Sequence, residues 1–591
     1  MKKNIVKGIS FFFPIITFYL FEFYTHNPFT TMKVPIQFLN IFFFELLALF
    51  LYFLTGRIKL AMHIETLFFG IIGLANYYVI DFRSAPIMPW DIFSLKTAAS
   101  VANNYKYTIK KETVFVILGF LLLFLVESFF YKKIQHQILT FSKKTWHIRT
   151  AGIFLCCFVL YGFTGMLHQD STIAKFGMYD KLFTPTVMSK RDGTAIAFLM
   201  ELKYVTVDKP DNYSADTAKE LLSSYEIANA DTSASEMPNI IVIMNEAFSD
   251  PAVLGPFETN EDYMPFVHSI LSGDVDNTVS GYLNVSVLGG NTANTEFEFL
   301  TGNTMAFLPQ GSVAYQQYVK SEIPSLASHL KALGYDTIAM HPYNSTGWNR
   351  NTVYPLLGFD TSYFISDWKN PEKIRKYVSD KACYDKIISL YEEKEEDTPF
   401  FIFNVTMQNH SSYSEEFDNF TPNIELIDAK SKVLNNYLSL MQISDTAIEN
   451  LVTYFAQEEE PTMIVFFGDH QPTNSVVNAV WKLNGKSSDS LTDEEEALRY
   501  KVPFFIWTNY DIQTEINIET SANYLSTKIL QAASLPLSDF TNYLDTLQKN
   551  YPVLTNIRVV DSFGNSSTIK EVNQNVNDYA IMQYYQLFGH K

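Results

Sequence analysis

Two kinds of hydrophobic pattern divide this chain of 591 residues. The N-terminal part holds five long apolar stretches, at about 8–24, 37–55, 60–80, 113–131 and 148–166. Each is close to the ~20 residues that a helix needs to cross a hydrocarbon layer ~30 Å thick. The C-terminal part instead carries short, nearly continuous apolar runs: "NIIVIM" (239–244), "DTIAM" (336–340), "PFFIFNVT" (399–406), "TMIVFF" (462–467) and "VPFFIWT" (502–508). Runs without polar alternation suit strands buried on both faces, as in a parallel sheet covered by helices. Helix-like segments at 323–334 and 435–457 fall between them. The pattern predicts a five-helix transmembrane domain over 1–166, a polar linker over 167–236, an α/β domain over 237–540, and a C-terminal extension, 541–591, that packs on that domain.

Charge sharpens the division. Residues 1–166 carry 16 basic and 7 acidic side chains, and the remainder carries 28 and 56. Lysines and arginines gather before the first stretch (Lys2, Lys3, Lys7), between the second and third (Arg57, Lys59) and between the fourth and fifth (Lys132, Lys133, Lys143, Lys144, Arg149). The positive-inside tendency places those loops in the cytoplasm. An odd number of spans then puts the acidic α/β domain outside the cell. Without a basic, aromatic-interleaved patch in that domain, nucleic acid is not an expected partner. The small-residue "ANA" at 228–230 is a candidate cleavage site near Ala230 that would release the outer part. The cysteines, Cys156, Cys157 and Cys383, suggest no disulfide framework.

Ligands of open α/β sheets gather at the carboxyl ends of the strands. Four of the five runs end in polar chemistry: Asn245–Glu246, His341, Asn409–His410 and Asp469–His470. Glu246, Asp469 and His470 together offer two carboxylates and an imidazole, a fitting set for a divalent cation. "GGNTANTEFEFLTGNT" (289–304) reads as a glycine turn feeding a helix that starts near Asn294. A bare threonine is a weak nucleophile, but a metal-bound hydroxyl is activated, so Thr292 on that turn is a candidate nucleophile, with the helix dipole directed at a phosphate. In isolation Thr292 reads as a helix N-cap.

These residues resemble a known family. "IVIMNEAFSD", "GGNTANTEFEFLTG", "HPYNSTGWNR", "VTMQNH" and "FFGDHQP" are similar, in order, to the lipoteichoic acid synthase family, membrane glycerophosphotransferases of the alkaline phosphatase and sulfatase superfamily. The resemblance runs from the first apolar stretch to about residue 510. It implies an extracellular domain of alkaline phosphatase/sulfatase-like fold, with Thr292 as nucleophile. It further implies Glu246, Thr292, Asp469 and His470 as ligands of manganese, with magnesium as the alternative, and His341, Trp348, Arg350 and His410 as the glycerophosphate holders. The donor it implies is phosphatidylglycerol, and the acceptor a lipoteichoic acid chain or glycolipid. The flanks of Thr292 depart from the polymerising members, which brings in a wall glycan as acceptor. A metal-dependent phosphodiester hydrolase is the remaining alternative. A formylglycine sulfatase is disfavoured, because Thr292 is followed by Ala293–Asn294–Thr295–Glu296 and not by a Pro-x-Arg setting.

Overall fold

The computed structural model describes residues 10–83, 86–94, 109–133, 146–179, 185–225, 237–309, 311–395, 398–427, 429–488, 490–574 and 576–589. Two compact units result, residues 1–95 with 101–206, and residues 96–100 with 207–591.

In the first unit, four helices among the described residues are long and apolar enough to cross a membrane: α2 (Val34–Thr55), α3 (Ile58–Arg83), α4 (Lys111–Lys133) and α5 (Trp146–Leu167). The fifth expected span is a shorter apolar helix, α1 (Phe12–Phe23), of 12 residues. Among the described residues all five expected stretches are helical, and four of them reach spanning length. Gly56, at φ 68°, ends α2 in the left-handed conformation that glycine adopts without cost. Arg149 of α5 then donates from Nε to the Phe53 carbonyl at 2.9 Å, placing a cation on the carbonyl end of α2. The stretch expected as a linker is largely helical. Thr194–Glu201 is held by Glu22 of α1, whose carboxylate accepts from the Thr194 N–H at 2.9 Å and its hydroxyl at 3.0 Å. Residues 226–236, around the candidate cleavage site at Ala230, lie outside the described residues.

The second unit is built on an eight-stranded sheet. Its strands are β1 (Asn239–Asn245), β2 (Thr278–Asn284), β3 (Asp336–His341), β4 (Thr361–Phe364), β5 (Phe400–Val405), β6 (Thr462–Gly468), β7 (Lys501–Thr508) and β8 (Glu515–Ser521). Their order is β8-β2-β7-β6-β1-β5-β3-β4. The sheet is mixed, not wholly parallel as its patterning implied. β7 pairs antiparallel with both β2 and β6, while the other pairings are parallel. Burial on both faces gives an antiparallel strand the same unbroken apolar signature, so "VPFFIWT" could not reveal its direction.

The sheet is the partition between two cores. Ile240, Val242 and Met244 of β1 face one way, against Phe297, Leu300, Leu326 and Leu525. Ile241 and Ile243 face the other way, against Leu434, Tyr437, Ile448 and Val480. Each fully buried aliphatic side chain contributes roughly 1.5–3 kcal/mol, so a single charge at Ile241 would disrupt the second core. β6, β1, β5 and β3 are adjacent and run in one direction. Their carboxyl ends therefore share one edge, and β7, running the other way, contributes nothing there.

Candidate active site

Glu246 is the first residue beyond β1, and Asp469 and His470 are the first beyond β6. Close backbone approach brings the two ends together. A Cβ on Gly468 would lie 1.9 Å from the Phe248 carbonyl oxygen, so only glycine fits. Ala247, at φ 51°, turns the chain sharply and donates its N–H to Asp469 Oδ1 at 2.7 Å. A positive φ in a non-glycine residue stores strain that surrounding contacts must hold. One ligand atom from each of Glu246, Asp469 and His470 lies within 4.8 Å of the other two, and all three residues are buried.

The electrostatics of this cluster call for a cation. Burial first, then the neighbouring Asp469 charge, push the Glu246 carboxyl well above its ordinary range. His470 Nδ1 donates to the Gln471 carbonyl at 2.9 Å, which can only accept, and this turns Nε2 toward the cluster. Nε2 faces Asp469 Oδ2 at 3.1 Å. Neither atom has a hydrogen-bond partner. Two carboxylates and an imidazole, with two unpartnered buried atoms at their meeting point, fit a divalent metal such as manganese, magnesium or zinc.

The helix that opens with Thr292 packs against the same strand end. Gly289 (φ 56°), Gly290 (φ 156°) and Asn291 (φ 67°) form a run of left-handed residues that turns the chain into the helix Thr292–Thr301. The helix begins at Thr292, two residues earlier than the sequence implied. Thr292 is inside the first turn and is not the N-cap, a position held by Asn291 without a side-chain bond. The turn lies on Thr473, whose Cα would be 3.3 Å from a Cβ on Gly289. Thr295 donates its hydroxyl to the Asp469 carbonyl at 2.8 Å. These contacts dock the helix N-terminus, with its free amides, beside Asp469–His470.

His341 ends β3, and Arg350 opens the helix Arg350–Leu356. Between them Trp348 (φ 53°) and Asn349 (φ 63°) are both left-handed. A bulky residue held there costs on the order of 1–3 kcal/mol, and such strain clusters at ligand sites. Trp348 is half-buried against the first core. Arg350 is fully buried and pairs with Glu296 through Nε and Nη2, while Tyr354 donates to the other Glu296 oxygen at 2.9 Å. The two-pronged edge expected to grip a phosphate is thus turned to Glu296. Nη1 donates instead to His341 Nε2 at 3.1 Å. Burial, then the Arg350 charge, hold His341 well below its usual range.

His410, after β5, is also neutral. Burial first, with Arg375 and His470 nearby, pulls it down to about 4. Its Nδ1 lies 3.0 Å from the Ser411 carbonyl and from the Tyr377 hydroxyl, which leaves Nε2 as its proton acceptor. Arg375 fixes this loop by donating to the carbonyls of Gln408, His410 and Ser412 at 2.7–2.9 Å. Behind Glu246, a buried network joins Asn245, Asp380, Asn409 and Ser444, and Thr406 Oγ1 accepts the Glu246 N–H at 3.1 Å. Arg375 and Asp380 lie in none of the quoted motifs, and Glu296, though inside "GGNTANTEFEFLTG", was given no role. The only sequence signal was the proximity of Glu296 to Thr292.

Residues 238–535 match the family model described as Sulfatase. The chain belongs to the sulfatase family. Among its relatives, a Rhizobium meliloti (strain 1021) protein named for cyclic beta-1,2-glucan modification is 30% identical over 68% of this chain and 62% of its own length. A lipoteichoic acid synthase-like protein of Bacillus subtilis (strain 168) is 22% identical over 75% of this sulfatase-family chain and 68% of its own. The chain spans 42–62% of the length of the first curated relatives it matches. In fold, it is similar to the Streptococcus pyogenes phosphoglycerol transferase GacH. That match has a TM-score of 0.50 at 24% identity and covers 64% of this chain and 94% of the other.

Proposed function

We propose that this protein is a membrane-anchored glycerophosphotransferase that uses Thr292 as its nucleophile, phosphatidylglycerol as its donor and a lipoteichoic acid chain or glycolipid as its acceptor. The observation that carries the reading is the cluster of Glu246, Asp469 and His470 at one end of the sheet, against which the helix opening at Thr292 is docked through Thr295. A divalent metal held by Glu246, Thr292, Asp469 and His470, manganese or magnesium, would supply charge stabilisation and a more acidic threonine hydroxyl.

The chain's own residues account for the rest. Thr292 Oγ attacks phosphorus as its hydroxyl proton passes to a base, the bond to the diacylglycerol oxygen breaks, and the base returns that proton to the leaving oxygen. A glycerophosphoryl group is left on Thr292. An acceptor hydroxyl then attacks in line, its proton passes to a base, and Thr292 Oγ leaves and is reprotonated. Both His341 nitrogens are engaged and His470 Nε2 faces the carboxylates, so His410 Nε2 is the imidazole acceptor open for that proton. The helix N-terminus at Thr292 stabilises the equatorial oxygens. Trp348 walls the glycerol, and His341 and Arg350 shape the opposite side.

A glycan acceptor is the second reading. It is supported by the relative named for cyclic beta-1,2-glucan modification. The chemistry at Thr292 is common to both. Peptide mass spectrometry after brief exposure to phosphatidylglycerol tests the shared step: one glycerophosphoryl group should appear on the Thr292 peptide. A modified peptide elsewhere, or none with lipid consumed, would refute it.

A further inference from the structure

One end of the membrane unit carries a polar cavity of about 280 Å³. Its walls come from the C-terminal ends of α1 and α3, from Lys110 just before α4, and from the helix Pro185–Asp192. Because α1 and α3 end where α4 begins, these walls meet at a single face of the bundle, the level at which a spanning helix leaves the hydrocarbon. Lys110 and Lys190 bring two ammonium groups, and Asp81 on the rim brings one carboxylate. Tyr24 forms a rigid wall: its hydroxyl donates to the Gly70 carbonyl at 3.1 Å, and its ring stacks on Phe120. Gly73 makes that seat possible, since a Cβ there would lie 2.4 Å from the Tyr24 ring.

Tyr77 also lines the cavity. It is only 8% exposed, yet its hydroxyl has no hydrogen-bond partner. A buried hydroxyl without a partner is destabilising, a cost that a ligand oxygen at this position would recover. Net positive charge, an unspent phenol donor and a location at the membrane boundary together describe an acceptor-rich anion on a lipid. Boundary tyrosines and lysines serve such headgroups. The volume lies just below the ~300–1,000 Å³ of pockets that enclose whole small molecules, which suits a headgroup whose acyl chains stay in the bilayer.

We infer that this cavity binds the phosphate-bearing headgroup of an anionic bilayer lipid, with Lys110, Lys190 and the Tyr77 hydroxyl as its contacts. The site is independent of the chemistry at Thr292. It gives the membrane unit a binding role beyond anchoring.

The test uses full-length protein carrying Thr292→Ala, so that no turnover consumes lipid. It is purified in micelles containing equal phosphatidylglycerol and phosphatidylcholine, and retained lipid is read by native mass spectrometry. The protein should keep phosphatidylglycerol over phosphatidylcholine. Lys110→Gln with Lys190→Gln should lower that retention about tenfold or more, the scale expected when two lysines that attract an anionic headgroup are removed. Lys110→Arg with Lys190→Arg should restore it. Tyr77→Phe, which deletes one oxygen and spares the fold, should lower retention by a smaller factor. Unchanged phosphatidylglycerol retention in the folded glutamine variant, or in Tyr77→Phe, would overturn the inference. So would displacement of the lipid by dissolved glycerol phosphate at equal concentration, which would assign the cavity to a free anion.

Discussion

Arg350 Nη1 lies 3.1 Å from Nε2 of His341, and this contact fixes where the protons are. Arginine has no acceptor, so Nε2 accepts and the imidazole proton sits on Nδ1, directed at the Val405 carbonyl at 3.0 Å. His341 is therefore a neutral wall of the site. Arg350 is in turn anchored by Glu296, four residues along the helix from Thr292. The chain Glu296–Arg350–His341 couples the helix Thr292–Thr301 to the end of β3.

Glu296→Gln should destabilise the second unit by about 3–5 kcal/mol, because removing one partner leaves a buried guanidinium uncompensated. Burial alone would make Arg350 easier to deprotonate, and the Glu296 charge outweighs it and keeps the cation. Denaturant unfolding of wild type and variant measures the difference. A loss below 1 kcal/mol would mean that the pair is not held as described.

Metal binding should show in stability before it shows in activity. Without a cation, Glu246 and Asp469 repel each other in a buried site, so Glu246→Gln should raise the melting temperature in chelator. The wild type should gain about 2.7 kcal/mol with manganese at one hundred times its dissociation constant, and the variant should gain little. Calorimetry with and without manganese checks both signs. Equal metal-induced shifts in the two proteins would argue against this site.

The C-terminal helix Asn577–Phe588 clamps the far end of the helix Thr292–Thr301. Gln583 accepts the Thr304 N–H at 2.8 Å and donates to the Thr304 carbonyl at 2.9 Å. Tyr579 donates to the Gly302 carbonyl. Gln583→Ala leaves buried backbone groups unpaired, at about 1–3 kcal/mol. Hydrogen exchange at 302–305 should accelerate in this variant, and unchanged protection there would contradict the clamp.

His268 makes part of the stability pH-dependent. Burial pulls its pKa down, but the Asp250 carboxylate 3.9 Å away, the hydrogen bond to Asp262 and the charges of both outweigh that and hold it at about 9. Tyr263 and Tyr282 donate to Asp250. The folded value is raised above an unfolded value of about 6.5. The stabilisation is therefore complete below that pH and is lost as pH rises through about 9. The stability gap between wild type and His268→Gln should be widest at pH 6 and close by pH 10. A gap that widens with pH would reverse the assignment.

Much of this arrangement was legible in the sequence, for physical reasons. Strands buried on both faces announce themselves as apolar runs, so β1, β3, β5, β6 and β7 were visible. β8 was not, because Glu515–Glu519 is a largely exposed edge with a polar sequence. The direction of β7 lay in its pairing, which one strand's composition does not encode. Glu246, Asp469 and His470 were legible because strand ends share an edge. Arg350 was legible as a residue, but its orientation was not, since that depends on Glu296 meeting it across the fold. The helical content of 170–201 was hidden by its polar and small residues, which read as a linker.

The central claim rests on one hydroxyl. Full-length protein with manganese and phosphatidylglycerol labelled in its acyl chains should release labelled diacylglycerol, and Thr292→Ala, folded and still shifted in melting temperature by manganese, should release none. Equal release from both proteins would contradict the account, because the lipid bond would then break without Thr292.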